Sequence, residues 1–162
     1  MKDIPNSIAA VSEEWLLHIL VDQGVFKPGV IKTIKTQPMG EGIGQTGEFC
    51  KVLVETQSSE QSVFFLKLRA PIEGMHQVAL RYRMYENEVR FYKELASNLE
   101  VRTPQVFYAD YNPDTECVAL LMEFMIKYPG LVINKPLWRS KIFLRSQRLT
   151  GTEPVSCPGC RP

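Results

Sequence analysis

Histidine is scarce in this sequence, and carboxylates run out before its end. Only His18 and His76 are present, and neither is followed two positions later by an aspartate. Beyond Met125 the sole acid is Glu153. An excess of either charge is missing too. With 19 Lys+Arg against 18 Asp+Glu the formal net charge is +1, so no global field draws the chain to nucleic acid or to an anionic membrane surface. Neither partner is expected, and any anionic ligand must be held locally. No apolar run approaches the length of a membrane span, and Met1-Lys2-Asp3-Ile4-Pro5 has no basic stretch leading into an apolar core. A cytoplasmic location is the resulting expectation. Of the four cysteines, Cys50 and Cys117 lie inside strand-like runs, which points to reduced, buried thiols. Cys157-Pro158-Gly159-Cys160 is a single C-x-x-C with no second pair, read here as accidental, so no metal site is expected.

What is present centres on Met39-Gly40-Glu41-Gly42-Ile43-Gly44-Gln45-Thr46-Gly47. Gly42, Gly44 and Gly47 form a G-x-G-x-x-G, a weak signal alone. In a dinucleotide-binding fold these glycines open a helix whose N-terminus takes the pyrophosphate. Here the β-branched and aromatic run Phe49-Cys50-Lys51-Val52-Leu53-Val54-Glu55 follows instead, so the glycines sit at the tip of a hairpin. A dinucleotide-dependent oxidoreductase is disfavoured on that ground. The Gly-Lys-Ser/Thr ending of a Walker A loop is absent as well. A glycine-rich hairpin over phosphates is the protein-kinase arrangement.

The rest of the chain supplies elements around that loop. Ser12 caps a helix with Glu13 and Glu14 in its first turn, Trp15, Leu16, Ile19 and Leu20 on one face, and Gly24 at its end. His18, alone on this helix, reads as structural. Residues 30–36 and 49–55 read as strands flanking the glycine loop, and 63–69 as a third, central strand after a polar turn. Lys67 stands out there, since a charge in an apolar strand must be satisfied. Alternation puts it on the face of Val63 and Phe65. A helix is predicted over 80–99, with Met84, Tyr85, Glu88, Val89, Tyr92, Leu95, Ala96 and Leu99 inward and Glu86, Arg90, Lys93 and Glu94 outward. Glu88 needs a cation, and Lys67 is available. A short strand at 106–108, a turn at 111–114 and a buried strand at 117–123 complete an α+β fold: a five-stranded antiparallel sheet with a Gly-rich hairpin, one main packed helix and an N-terminal helix.

Three stretches carry a resemblance: Tyr85-Glu86-Asn87-Glu88-Val89-Arg90-Phe91-Tyr92-Lys93-Glu94-Leu95, Val101-Arg102-Thr103-Pro104 and Leu120-Leu121-Met122-Glu123. Over roughly residues 10 to 125 the chain resembles the N-terminal lobe of the aminoglycoside phosphotransferase and ecdysteroid-kinase-like small-molecule kinases. The resemblance implies that Gly42, Gly44 and Gly47 cover the phosphates of ATP, that Lys67 holds the α- and β-phosphates, and that Glu88 orients Lys67. It implies that the backbones of Glu123 and Met125 bond adenine. Phe124 departs from the pattern, standing where these kinases commonly carry an acid.

The family's reaction is γ-phosphoryl transfer from ATP to a hydroxyl of a small molecule, and it draws its base and its magnesium ligands from a second lobe. The His-x-Asp of that lobe has no counterpart in these 162 residues. Residues 1–125 are therefore expected to be a kinase-like N-lobe, with 1–28 as a helical extension, and 126–162 an irregular basic tail in place of a C-lobe, with a short helix near 137–149 at most. The chain reads as truncated and without turnover of its own, with magnesium expected only beside a complete second lobe. The alternative is a non-catalytic nucleotide-binding or regulatory module.

Overall fold

The computed structural model describes residues 3–39, 46–100 and 102–125. Gly42, Gly44, the basic tail with its short helix, and the Cys157/Cys160 pair lie outside the described residues.

Five strands form one antiparallel sheet: β1 (Ile31–Pro38), β2 (Glu48–Thr56), β3 (Gln61–Leu68), β4 (Val106–Asn112) and β5 (Cys117–Glu123), in the order β1-β2-β3-β5-β4. β3 is central, as its apolar density predicts. All four pairings are antiparallel; three are hairpins, with Pro38 opposite Cys50, Glu55 opposite Gln61 and Asn112 opposite Cys117, and the fourth joins β3 to the distant β5. The glycine-rich stretch thus begins and ends on paired strands, and the Met39 N–H to Phe49 carbonyl bond (3.0 Å) closes the hairpin base.

Because side chains alternate across a strand, the sheet has two apolar faces. Phe64, Leu66 and Leu68 of β3 share one face with Cys50, Val52 and Val54. The N-terminal helix α1 (Glu13–Asp22) covers that face with Trp15, Leu16, Ile19 and Leu20, the four residues its sequence spacing predicts. Ser12 caps it, its hydroxyl accepting from the Trp15 N–H at 3.0 Å. Gly24, at φ 68°, lets the chain turn away beyond it. A register shift in β4 between Val106 and Tyr108 turns Phe107 and Tyr108 to this same face, where Tyr108 meets Trp15 edge-on at 5.8 Å.

On the other face Leu120, Met122 and Phe65 pack under α2 (Glu73–Arg81) and α3 (Met84–Arg90). The single helix predicted over 80–99 is corrected here. Arg83 takes a left-handed conformation (φ 52°) that separates α2 from α3. α2 buries His76 and Ala79, whereas α3 buries Tyr85 and Val89. Six residues on a regular helix turn through roughly 240° beyond a full circle, so an unbroken helix could not aim Ala79 and Tyr85 at one sheet. The left-handed residue resets the phase. Past Arg90 the coil widens into a π-type turn over Phe91–Leu95 and tightens over Ala96–Asn98, which leaves Leu95 and Leu99 exposed rather than inward. Met84 is also exposed.

Candidate functional site

The site is built on the α3 face of the central strand. Opposite pairs in the register lie on one face: Phe49, Lys67 and Leu120 form one row across β2, β3 and β5, and Lys51, Phe65 and Met122 form the next. Lys67 is a largely buried charge in the first of these rows, its side chain 12% exposed. Its Nζ donates to both carboxylate oxygens of Glu88, at 2.8 and 2.6 Å. Glu88 lies one turn after Tyr85 on α3, on the stripe predicted to face inward, and stays 29% exposed. Charge-assisted hydrogen bonds to both carboxylate oxygens offset part of the cost of desolvating such a part-buried pair.

Gly47 is buried against this lysine. A Cβ there would stand 2.8 Å from Lys67 Cε and 3.0 Å from the Leu68 carbonyl oxygen. The close approach, rather than an unusual φ, requires glycine at this position. On its other side Lys67 Nζ lies 5.9 Å from the centre of the Phe49 ring, and Phe49 leans on Phe65 with ring centres 5.3 Å apart. Aromatic carbon thus flanks the ammonium on the sheet side and a carboxylate fixes it on the helix side. Burial and the neighbouring Glu88 carboxylate together raise the Tyr92 phenol above its ordinary range, so that side chain stays neutral next to the pair.

At the far end of β5 the chain leaves the sheet through Phe124 and Met125. The Glu123 N–H donates to the Gln105 carbonyl at 2.7 Å, and its carboxylate sits 3.8 Å from Arg102. Lys51 lies over the Phe124 ring at 5.5 Å from its centre. Met125 is exposed. Of the seven predicted site residues, the structure brings Gly47, Lys67 and Glu88 into contact and sets Glu123 and Met125 at the strand end. Gly42 and Gly44 are outside the described residues.

Two features escape sequence reasoning. Phe49 reads as an ordinary strand aromatic, and only the register sets it beside Lys67, on the face where alternation already places Phe65. The other is a buried polar cluster next to the site. His76, 1% exposed, has its Nδ1 3.2 Å from the Tyr85 hydroxyl and its Nε2 3.1 Å from Arg69 Nη1 and 3.2 Å from Glu116 Oε2. The Tyr85 hydroxyl also accepts from the Ala70 N–H at 2.9 Å. The i, i+3 pair His76 and Ala79 was the available signal, obscured by Gly74 and the polar residues of α2.

A cleft of about 640 Å³ lies elsewhere, lined among others by Asp3, Ser12, Glu14, Trp15 and Arg69. It excludes Lys67 and Glu88, and Arg69 is already engaged by the Asn6 carbonyl and His76. The chemistry therefore locates the candidate site at Lys67. Among the described residues no group of three His, Cys, Asp or Glu side chains is placed to hold a metal ion. No helix among them is long and apolar enough to cross a membrane. Compared with family models, curated proteins and solved structures, the chain gives no match.

Proposed function

We propose that residues 3–125 are a kinase-like N-lobe that binds ATP, of the kind used by phosphotransferases acting on hydroxyl groups of small molecules. The observation that carries this reading is the bidentate Lys67–Glu88 pair packed against Gly47 at the base of a glycine-rich hairpin. A lysine fixed by a carboxylate is a positioned point charge for the α- and β-phosphates, the part such a lysine plays beneath a glycine-rich loop in kinases. Gly42 and Gly44 would supply that cover. The aromatic floor of Phe49 and Phe65 accepts the flat face of a base, and adenine would be bonded at the strand end. The Glu123 N–H is committed to Gln105, so its share in that bonding falls to its carbonyl oxygen, with Met125 as the second backbone partner.

Magnesium fits less well. The described residues offer no carboxylate cluster for it, and these 162 residues carry no His-x-Asp to activate an acceptor hydroxyl. Binding without phosphoryl transfer is therefore the activity proposed for this chain, in a nucleotide-binding module, with the small-molecule acceptor belonging to a complete enzyme.

Thermal denaturation with millimolar MgATP tests the reading. Ligand at about 100-fold its Kd stabilises by roughly 2.7 kcal/mol, which for a domain of this size raises Tm by roughly 5–10 °C. That rise should be present in the wild type and lost in Lys67→Ala. An unmoved wild-type Tm at millimolar MgATP refutes it.

A further inference from the structure

The pair at Lys67 joins two elements that could move independently, a sheet strand and a helix. What fixes their spacing is a second link one helical turn away. Tyr85 and Glu88 share the inward stripe of α3, and Lys67 and Ala70 are the matching positions at the end of β3 and just beyond it. The Tyr85 hydroxyl is bonded to the Ala70 N–H while the Glu88 carboxylate is bonded to Lys67, so α3 meets the same chain segment at two points. Tyr85 is 1% exposed and lies with its ring 5.7 Å from that of His76.

The hydroxyl keeps a His76 partner in either neutral tautomer. With the proton on Nε2, that nitrogen donates to Glu116 and Nδ1 accepts the Tyr85 proton. With the proton on Nδ1, it donates to the Tyr85 oxygen and Nε2 accepts from Arg69. Arg69 follows β3 and Glu116 precedes β5, so the imidazole ties α2 and α3 to both central strands. Such a network, with no buried side-chain polar atom among the described residues left unpaired, specifies one arrangement rather than several.

We propose that Tyr85, backed by His76, is a positioning residue: its hydroxyl sets the distance of α3 from β3 and so holds Glu88 against Lys67 before any ligand arrives. The consequence is a site assembled in the free protein, in contrast to one that a nucleotide must draw together. The effect on nucleotide affinity rests on the reading of Lys67 as a phosphate-binding residue, whereas the effect on the ion pair does not.

The experiment is NMR of the full chain carrying ¹³C,¹⁵N-lysine, with the Lys67 Cε and Nζ resonances assigned by Lys67→Arg. In Glu88→Gln these resonances report the unpaired lysine. In Tyr85→Phe, which keeps the ring and removes one oxygen, they should move most of the way to the Glu88→Gln positions while the amide spectrum stays dispersed. A tyrosine that only adds stability would leave them at the wild-type positions, and that result overturns the proposal. If Tyr85→Phe does not fold, His76→Asn, which removes the second partner of the hydroxyl, should shift them in the same direction, and no shift again overturns it. ATP titration forms the second arm: Tyr85→Phe should weaken ATP roughly 2- to 12-fold, leave adenosine unchanged, and have no effect in a Lys67→Met background. Weakening of ATP that persists in Lys67→Met contradicts the tether. A wild type that binds no ATP refutes the nucleotide reading alone, since the Lys67 resonances still decide the tether.

Discussion

Gly47 is where a single atom decides most at this site. Adding a methyl forces Lys67 or the Leu68 carbonyl to give way, and the carbonyl is held in the sheet. Gly47→Ala should therefore cost about 1–3 kcal/mol in urea denaturation and displace the ammonium from Glu88. An unchanged midpoint would show that the hairpin base absorbs the methyl. Cys50 makes a different case. Burial first, and then the Glu48 carboxylate, push its thiol from 9.0 up to about 12. The thiolate is the reactive form, so Cys50 should resist alkylation at pH 8 in the native protein and react fully in urea, as peptide mapping would show. A folded pKa above the unfolded one also means that stability from this group is complete below about 9 and is lost as pH rises toward about 12. Lys67 and Glu88 were legible in the sequence because each is a charge at an apolar position and each therefore asks for a partner. Tyr85 and His76 were not, since a tyrosine on an inward stripe looks complete without its hydroxyl bond.

Helices and strands differ in how openly their sequences declare them. α1 combines a serine cap, acids in the first turn and an unbroken i, i+3, i+4 stripe, and its observed burial follows that stripe. Leu16→Ala should cost about 2–5 kcal/mol by emptying part of the α1 face, yet leave nucleotide affinity unchanged wherever the variant remains folded, because Leu16 lies across the sheet from Lys67. A parallel loss of affinity would mean that the two faces are coupled. The α2–α3 break had no glycine or proline to announce it. It rests on Arg83 accepting a left-handed conformation that glycine tolerates freely and a β-branched residue does not. Arg83→Val should thus lower Tm clearly below that of Arg83→Gly, and equal values would place the break elsewhere. β4 outran its expected end at Tyr108 because pairing with Cys117–Leu120 outweighs the turn preference of Asp110 and Asn112. Asn112 does form a turn, but later, accepting from the Asp114 and Thr115 N–H groups at 2.9 and 3.3 Å.

At the scale of the fold, the described residues form five antiparallel strands with one α-helix on one face and two on the other, and the face with two helices holds the charge pair. The β-branched and aromatic run of β2 and the apolar density of β3 made the sheet legible, and the order of strand, glycine loop, strand, lysine and helix glutamate made the pair legible. The pairing of β3 with β5 was not open to sequence reading, since it joins segments far apart in the chain. It is this pairing that lays Leu120 and Met122 beside Lys67 and Phe65 as a continuous floor. If that floor and the fixed ammonium form a nucleotide site, affinity must depend on phosphate and on Lys67 together. Calorimetric titration of the full chain with ATP and with adenosine, in wild type and Lys67→Met, measures this directly. ATP should bind the wild type at least tenfold more tightly than adenosine, about 1.4 kcal/mol or more, and Lys67→Met should erase that difference while leaving adenosine unaffected. Equal affinity of the wild type for the two ligands, or an ATP preference that survives in Lys67→Met, would contradict it.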